Sequence, residues 1–364
     1  MKKILIIIGK LKVGGAEKVA RDIGYYADKK EFNIHYIVFE DEVGSYEKEL
    51  KESGCTIHHF DSPNKNHLNY YRCLKKLFQK EQFHVVHCHT MFSSAWAVMA
   101  AKKCGVPIRI SHSHTIRGER KRGFIRNTYE GFMRKVIQRD STHYIGCGKS
   151  AGEWLFGQEF FKKKGTIIYN GIDLLNFKYK SAKAIEIRKQ YSVGNCFVLG
   201  HVGHLADVKN QAFIIRLLPD ILKEKQDTVL FLIGDGDNRD KLKGLVHSLK
   251  LDDHVIFTGN VNNVYDYLNA IDVFVFPSFH EGMPLALIEV QTNGLPCVIS
   301  DAIPEDVVQT DLVQYCSLED PQKWIDLIFS SERSDSESYY KKMYDLGFDT
   351  SVMLNKIYRI YEGK

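Results

Sequence analysis

Short β-branched runs separated by amphipathic stretches recur along the whole chain, and this alternation restricts the fold more than any other feature. Strands separated by ten or more helical residues pair in parallel, through crossover helices. The first series places strands at 3–8, 33–39, 85–88, 108–112, 142–147 and 165–169, with helices at 16–29, 70–82 and 94–104. A turn is expected at Asn170-Gly171-Ile172-Asp173, where glycine supplies a permissive backbone. Past a polar stretch at 178–190 the pattern restarts, with strands at 198–202, 229–233, 255–257, 273–276 and 296–299 and helices at 211–224, 239–249, 264–270 and 286–292. The expected architecture is α/β: two Rossmann-like, doubly wound domains whose edges face across a cleft. The boundary falls near 174–192 and divides 1–176 from 177–349. The polar segment 330–338 reads as a loop. Apolar residues at 352, 354, 357, 358, 360 and 361 predict a closing helix over about 350–364, able to pack back on the first domain.

A length of 364 residues fits two domains, and 44% apolar with 26% charged residues excludes disorder and fibre. Through residue 180 there are 32 Lys and Arg against 18 Asp and Glu; beyond it there are 18 against 27. The basic half is therefore expected to meet something anionic. The opening apolar run is too short for a signal peptide and reads as a buried strand, and no window approaches the roughly 18 apolar residues of a membrane span. Eight cysteines without a C-x2-C pair read as reduced thiols rather than a zinc site or disulfide framework. A cytoplasmic chain follows, with the inner face of the membrane as a peripheral location.

Candidate chemistry gathers at strand ends. Gly14-Gly15-Ala16-Glu17 leads from the first strand into a helix, whose amides and dipole suit a phosphate. Neither the full G-x-G-x-x-G pattern nor a P-loop is present there, which disfavours a dinucleotide dehydrogenase or P-loop enzyme. The densest block is 277–296, in which Glu281 and Glu289 flank Gly282-Met283-Pro284, a bend into a helix. Two turns along, Glu289 is expected on nearly the same face as Glu281, among Leu285, Leu287, Ile288 and Val290, where a carboxylate without a partner is costly. Histidines occur in pairs two apart, His87 with His89 and His112 with His114, and each pair shares one face of an extended segment.

Together these blocks resemble a retaining nucleotide-sugar glycosyltransferase of the GT-B fold, glycosyltransferase family 4, with its E-x7-E motif at Glu281 and Glu289. The resemblance runs over nearly the whole chain: 14–17, 85–89, 110–114, 170–173, Gly203 with Lys209-Asn210, 234–236 and 277–296. It implies that the second domain holds a nucleotide-diphosphate sugar, a UDP-sugar foremost, and that the first binds the acceptor. Glu289 would bind ribose hydroxyls and Glu281 the transferred sugar, with Gly282, Met283 and Leu285 bordering the pocket. Pro284 has no N–H and only shapes the bend. Lys209 would stabilise the leaving diphosphate. A histidine from the first domain would approach the transferred sugar, and spacing leaves His112 and His114 both open.

The family usually carries Arg ahead of the Lys, whereas this chain has Gly203-His204. Histidine is mostly neutral at pH 7, so the charge is expected to rest on Lys209 and the Gly14 and Gly15 amides. The resemblance implies no metal, since GT-B enzymes generally work without one, and no carboxylate nucleophile, the donor diphosphate itself acting as base. The expected function is sugar transfer to a lipid-linked or oligosaccharide acceptor in capsular, exopolysaccharide or other cell-surface glycan synthesis. The alternatives are a nucleotide-sugar 2-epimerase sharing the two-domain plan, or a non-enzymatic module for an anionic surface or nucleic acid.

Residues 117–139 carry eight Lys and Arg (117, 120, 121, 122, 126, 134, 135, 139) against Glu119 and Glu130. Phe124, Ile125, Tyr129, Phe132, Val136 and Ile137 recur at three- and four-residue steps, the pattern of a basic amphipathic helix suited to an anionic membrane surface. No recognised nucleic-acid-binding module is visible, so nucleic acid is not expected.

Overall fold

The computed structural model describes residues 1–12, 14–39, 43–114 and 123–364, apart from the side chains at 124, 125 and 306. Arg117, Glu119, Arg120, Lys121, Arg122 and the side chains of Phe124 and Ile125 therefore lie outside the described residues. The chain forms two units, one of residues 1–171 with 350–364 and one of residues 172–349.

The first unit is built on seven parallel strands: β1 (Lys2–Ile7), β2 (Phe32–Val38), β3 (Thr56–His59), β4 (Val85–Cys88), β5 (Ile108–Ser113), β6 (His143–Gly146) and β7 (Gly165–Ile167), in spatial order 3-2-1-4-5-6-7. Alternation decides what each face buries. Ile4, Ile6, Val85, Ile110 and Ile145 pack on one face against the helix Gly15–Tyr25 and against Met353, Leu354, Ile357 and Tyr361 of the helix Thr350–Glu362. Leu5, Ile7, Ile37 and Val86 pack on the other, against the helices His67–Glu81 and Ser94–Lys103. Both faces are covered, which is why these strands read as nearly continuous apolar runs.

Six parallel strands make the second unit: β8 (Phe197–Val202), β9 (Thr228–Ile233), β10 (Val255–Gly259), β11 (Val273–Phe276), β12 (Cys297–Ser300) and β13 (Val313–Cys316), in order 10-9-8-11-12-13. Leu199, Leu230, Leu232, Val275 and Val298 pack with Ile214, Leu218 and Ile221 of the helix Gln211–Glu224 and with Trp324 of the helix Pro321–Ser330. The ends of the unit meet, Ile172 bridging to Asp349 and its N–H donating to the Phe348 carbonyl at 2.9 Å.

Each sheet has one strand more than its pattern announces. β3 is a Thr-Ile-His-His edge strand with exposed ends, and β13 follows the run taken as last. The polar stretch at 178–190 is not a linker: most of it is the helix Ser181–Gln190, which buries Ala184 and Ile187 and packs on the helix Val264–Ala270. The expected loop at 330–338 gives way at Asp335, whose carboxylate accepts from the N–H groups of Glu337 and Ser338 and starts the helix Ser336–Leu346. Residues 170–173 form no turn, and Gly171 is absent from the positive-φ glycines. Among the described residues no helix is long and apolar enough to cross a membrane.

Candidate active site

Both sheets reverse strand order beside their first strand, between β1 and β4 and between β8 and β11. The crevice outside the carboxyl ends of strands at such a switch point is where open α/β sheets take ligands, because the flanking loops diverge there. Gly14, Gly15, His87, His89, Lys209 and Glu281 end or follow the strands that flank these two places, and His112 and His114 lie at the end of β5, beside β4.

In the second unit the loops after β8 and β11 are tied together. The Phe279 N–H donates to the Val208 carbonyl at 2.9 Å, and the Asn210 side-chain amide donates to the Pro277 carbonyl at 3.3 Å. Asn210 has φ +55°, a left-handed conformation that asparagine tolerates. This brings Lys209 Nζ to 2.6 Å from Glu281 Oε1 and over the Phe276 ring, 5.2 Å from its centroid. Both side chains are largely buried, at 20% and 10% exposure, so the ion pair is well shielded from water.

Beneath it, buried His201 on β8 bonds the Val275 carbonyl at 3.0 Å and the Gln211 amide at 3.2 Å, and Gln211 donates on to the His204 carbonyl at 3.0 Å. Burial pushes His201 down to about 4, which keeps it neutral in this brace. Neither His201 nor Gln211 stands out in the sequence, since one reads as a core residue and the other as a helix surface.

The glycines of 234–236 answer to close packing. Gly234 has φ +131°, and a Cβ there would come within 2.2 Å of the Gly203 carbonyl oxygen; one on Gly236 would meet the Leu205 carbonyl oxygen at 2.5 Å. His204 is exposed beside Asp235. The Gly236 N–H foremost, with Arg239 and His204, holds the Asp235 carboxyl below its usual range.

Glu281 is not on the helix that carries Glu289. That helix is Leu285–Thr292, with Pro284 at its N-cap and no side-chain cap, so the expected same-face relation between the two carboxylates does not hold. Gly282 and Met283 are half-buried in the bend and Pro284 is buried; Glu289 is half-buried and has a partner.

In the first unit the carboxyl ends of β4 and β5 bring all four paired histidines together. Ring centroids are 4.2 Å apart for His87 and His89, 4.0 Å for His112 and His114, and 5.3 Å for His87 and His112, whose planes differ by 5°. His87 Nε2 faces His112 Nδ1 at 3.2 Å, and His89 Nδ1 faces His114 Nε2 at 2.7 Å. Outside the cluster, the Tyr361 hydroxyl meets His87 Nδ1 at 2.7 Å, and Asn170 Oδ1 meets His114 Nδ1 at 3.1 Å. Burial drives His87 to about 3, His114 to about 4, and His89 and His112 well down, so all four are neutral at pH 7. Tyr361 escaped sequence reasoning because a tyrosine on an apolar helical face reads only as core.

His87, His89 and His112 can each bring a ring nitrogen within 4.8 Å of the others, a spacing open to a metal ion. The His87–His112 hydrogen bond, however, commits one nitrogen of each. At the start of the helix Gly15–Tyr25, Gly14 is the N-cap and no side chain caps it. A Cβ on Gly14 would come within 2.3 Å of Glu17 Oε2, so an anion bound here would share the helix terminus with a carboxylate.

The described part of the basic segment lies in the helix Phe124–Asp140, which buries Met133, Val136 and Ile137. Most of its described charges are committed. Arg126 pairs with Glu130, Arg139 pairs with Asp140, and Arg134 donates to the Trp154 and Leu155 carbonyls. Phe132, 61% exposed, and Lys135 face outward. Beside this helix a cavity of about 430 Å³ is lined by Asn64, Thr90, Ser93, Arg126, Tyr129 and Glu130 among others.

Residues 13–175 match the family model described as Glycosyltransferase Family 4, and residues 183–328 the model described as Glycosyl transferases group 1. The chain is 28% identical to the Bacillus subtilis protein EpsF, which bears a glycosyltransferase name, over 99% of this chain and 96% of that one. It is 29% identical to the capsular polysaccharide biosynthesis glycosyltransferase CapH of Staphylococcus aureus, over 84% and 83%. It is 30% identical to an Escherichia coli UDP-Gal:alpha-D-GlcNAc-diphosphoundecaprenol alpha-1,3-galactosyltransferase, over 63% and 60%. Among solved structures, Anabaena HepE in complex with UDP superposes with a TM-score of 0.82 at 18% identity, each chain covered fully. The same protein in complex with UDP-glucose gives 0.77.

Proposed function

Given that this chain belongs to glycosyltransferase family 4 and is a hexosyl-transferring enzyme of the GT-B fold, we propose that it moves a sugar from a UDP-sugar to a lipid-linked or oligosaccharide acceptor with retention of configuration. The observation that carries the reading is the shielded Lys209–Glu281 pair at the β8–β11 switch point. A diphosphate entering there competes with Glu281 for the ammonium of Lys209. Lys209 then stabilises the charge that builds as the glycosidic oxygen leaves, and Glu281 is freed to accept from a sugar hydroxyl. Glu289 takes the ribose hydroxyls, and the uncapped amides at Leu285 border the same pocket.

The second unit is thus assigned the donor and the first the acceptor, with His112 or His114 directed at the transferred sugar. Glu281 is assigned to a sugar hydroxyl, and no carboxylate is assigned as nucleophile. Retention is therefore assigned to same-face attack, with the leaving diphosphate as base. No metal is assigned. The names of the Staphylococcus aureus and Escherichia coli relatives support a polysaccharide pathway and a polyprenyl-diphosphate acceptor. HepE, crystallised with UDP and with UDP-glucose, supports a UDP-sugar. A cytoplasmic enzyme meeting such an acceptor would approach the inner face of an anionic membrane, with Phe132 and Lys135 as its described contacts.

The test has two stages. A panel of UDP-, GDP- and ADP-sugars is screened for thermal stabilisation, since a ligand selective for the folded state raises the melting point. UDP-sugars are expected to stabilise, and Glu289→Ala to weaken that shift. The stabilising donor is then offered with polyprenyl-diphosphate-linked and free oligosaccharide acceptors, in anionic and in zwitterionic vesicles. No product with any acceptor would overturn the transfer reading, and equal rates in both vesicles would remove its membrane part.

A further inference from the structure

We propose that Tyr361 and Asn170 fix the proton positions of the four-histidine cluster, so that His112 presents an N–H donor and His89 a bare nitrogen, a matched pair for one sugar hydroxyl. The substrate in this statement rests on the transferase reading; the proton positions do not.

The Tyr361 side chain is fully buried, and among the described residues its hydroxyl meets only His87 Nδ1, at 2.7 Å. If His87 carried its proton on Nδ1, the phenol hydrogen would be buried with no acceptor, which native structures avoid. The phenol therefore donates, and neutral His87 carries its proton on Nε2. That proton points at His112 Nδ1, 3.2 Å away. His112 Nδ1 must accept, so neutral His112 carries its own proton on Nε2.

The second pair runs the other way. Asn170 Oδ1 can only accept, so His114 carries its proton on Nδ1. His114 Nε2 must then accept, and His89 donates to it from Nδ1, 2.7 Å away, leaving His89 Nε2 without a proton. His89 Nε2 and His112 Nε2 are both buried and without a hydrogen-bond partner among the described residues. They are the two unspent nitrogens of the cluster, one a donor and one an acceptor, and a hydroxyl group has the complementary pair of needs.

His114 has both nitrogens committed, so of the two rings left open by spacing His112 is the one with a nitrogen left to offer a substrate. His89 joins it, and Tyr361 and His87 are positioning residues that act through it. Tyr361 lies 274 residues from His87 in sequence, so the last helix controls a proton at the end of β5.

Long-range ¹H–¹⁵N correlation spectra of the full-length, histidine-labelled protein at pH 7 test this directly, without substrate. His87 and His112 are expected as Nε2–H tautomers, and His89 and His114 as Nδ1–H tautomers. In Tyr361→Phe the His112 pattern should shift toward Nδ1–H or a mixture while His89 and His114 stay unchanged. Transfer by that variant should lose at least tenfold in kcat with little change in donor KM. A wild-type His112 that is Nδ1–H or imidazolium overturns the proposal even if the variant fails to fold. An unchanged His112 spectrum, or an unchanged kcat, in folded Tyr361→Phe overturns it as well. A wild-type spectrum as expected, with no transfer to any acceptor, would support the proton positions and overturn the transferase reading alone.

Discussion

Lys209 and Glu281 lie 72 positions apart in sequence and 2.6 Å apart in space. Each was legible separately, one in the stretch after the strand at 198–202 and one in the E-x7-E block, but their pairing was not. It depends on two ties between loops, the Phe279 N–H to the Val208 carbonyl and the Asn210 side-chain amide to the Pro277 carbonyl, and no sequence pattern marks these partners as meeting. The histidine pairs show the same limit. Alternation puts each pair on one face, yet only parallel pairing of β4 with β5 makes one cluster of the two. If Lys209 acts mainly on the leaving diphosphate, Lys209→Ala should lower kcat by about 10²–10³-fold, the range for removing one transition-state charge partner, while donor affinity falls much less. Single-turnover rates beside donor titration measure the two separately; equal losses would make Lys209 a binding group only.

At the level of elements, long periodic segments announced themselves and short or polar ones did not. The helices Gln211–Glu224 and Val264–Ala270 and the strand β11 fall where the pattern places them. The helix Ser181–Gln190 hid because it buries only Ala184 and Ile187, and β3 because an edge strand with one covered neighbour needs little apolar sequence. The helix Thr350–Glu362 was legible as a helix, and its contribution is large: Met353, Ile357 and Tyr361 are fully buried against the first unit's sheet. Truncating a fully buried isoleucine leaves a cavity as well as a lost transfer term, so Ile357→Ala should cost about 2–5 kcal/mol. Urea unfolding followed by a probe in the first unit should report that loss. A change below about 1 kcal/mol would mean the helix is peripheral to the core.

For the molecule as a whole, buried neutral histidines set the response to acid. His87 titrates at about 3, and His114 and His201 at about 4, in the folded protein, against 6.5 when unperturbed. The unfolded chain therefore binds more protons than the native one below pH 6.5. Stability is full above that pH and falls as pH drops toward about 4, by at most about 1.4 kcal/mol per unit for each histidine. Calorimetry should find Tm level between pH 7 and 8 and falling steeply from 6 to 4. A level Tm down to pH 5 would show that these rings are not held neutral by the fold. The discontinuity of the first unit also sets an order of events during synthesis. Residues 172–349 leave the ribosome before 350–364, so the second unit can complete its fold while Ile4, Ile6 and Val85 still lack the helix that covers them. A chain truncated before residue 350 would carry one complete body and one with an open apolar face, a substrate for chaperones rather than a half-active enzyme.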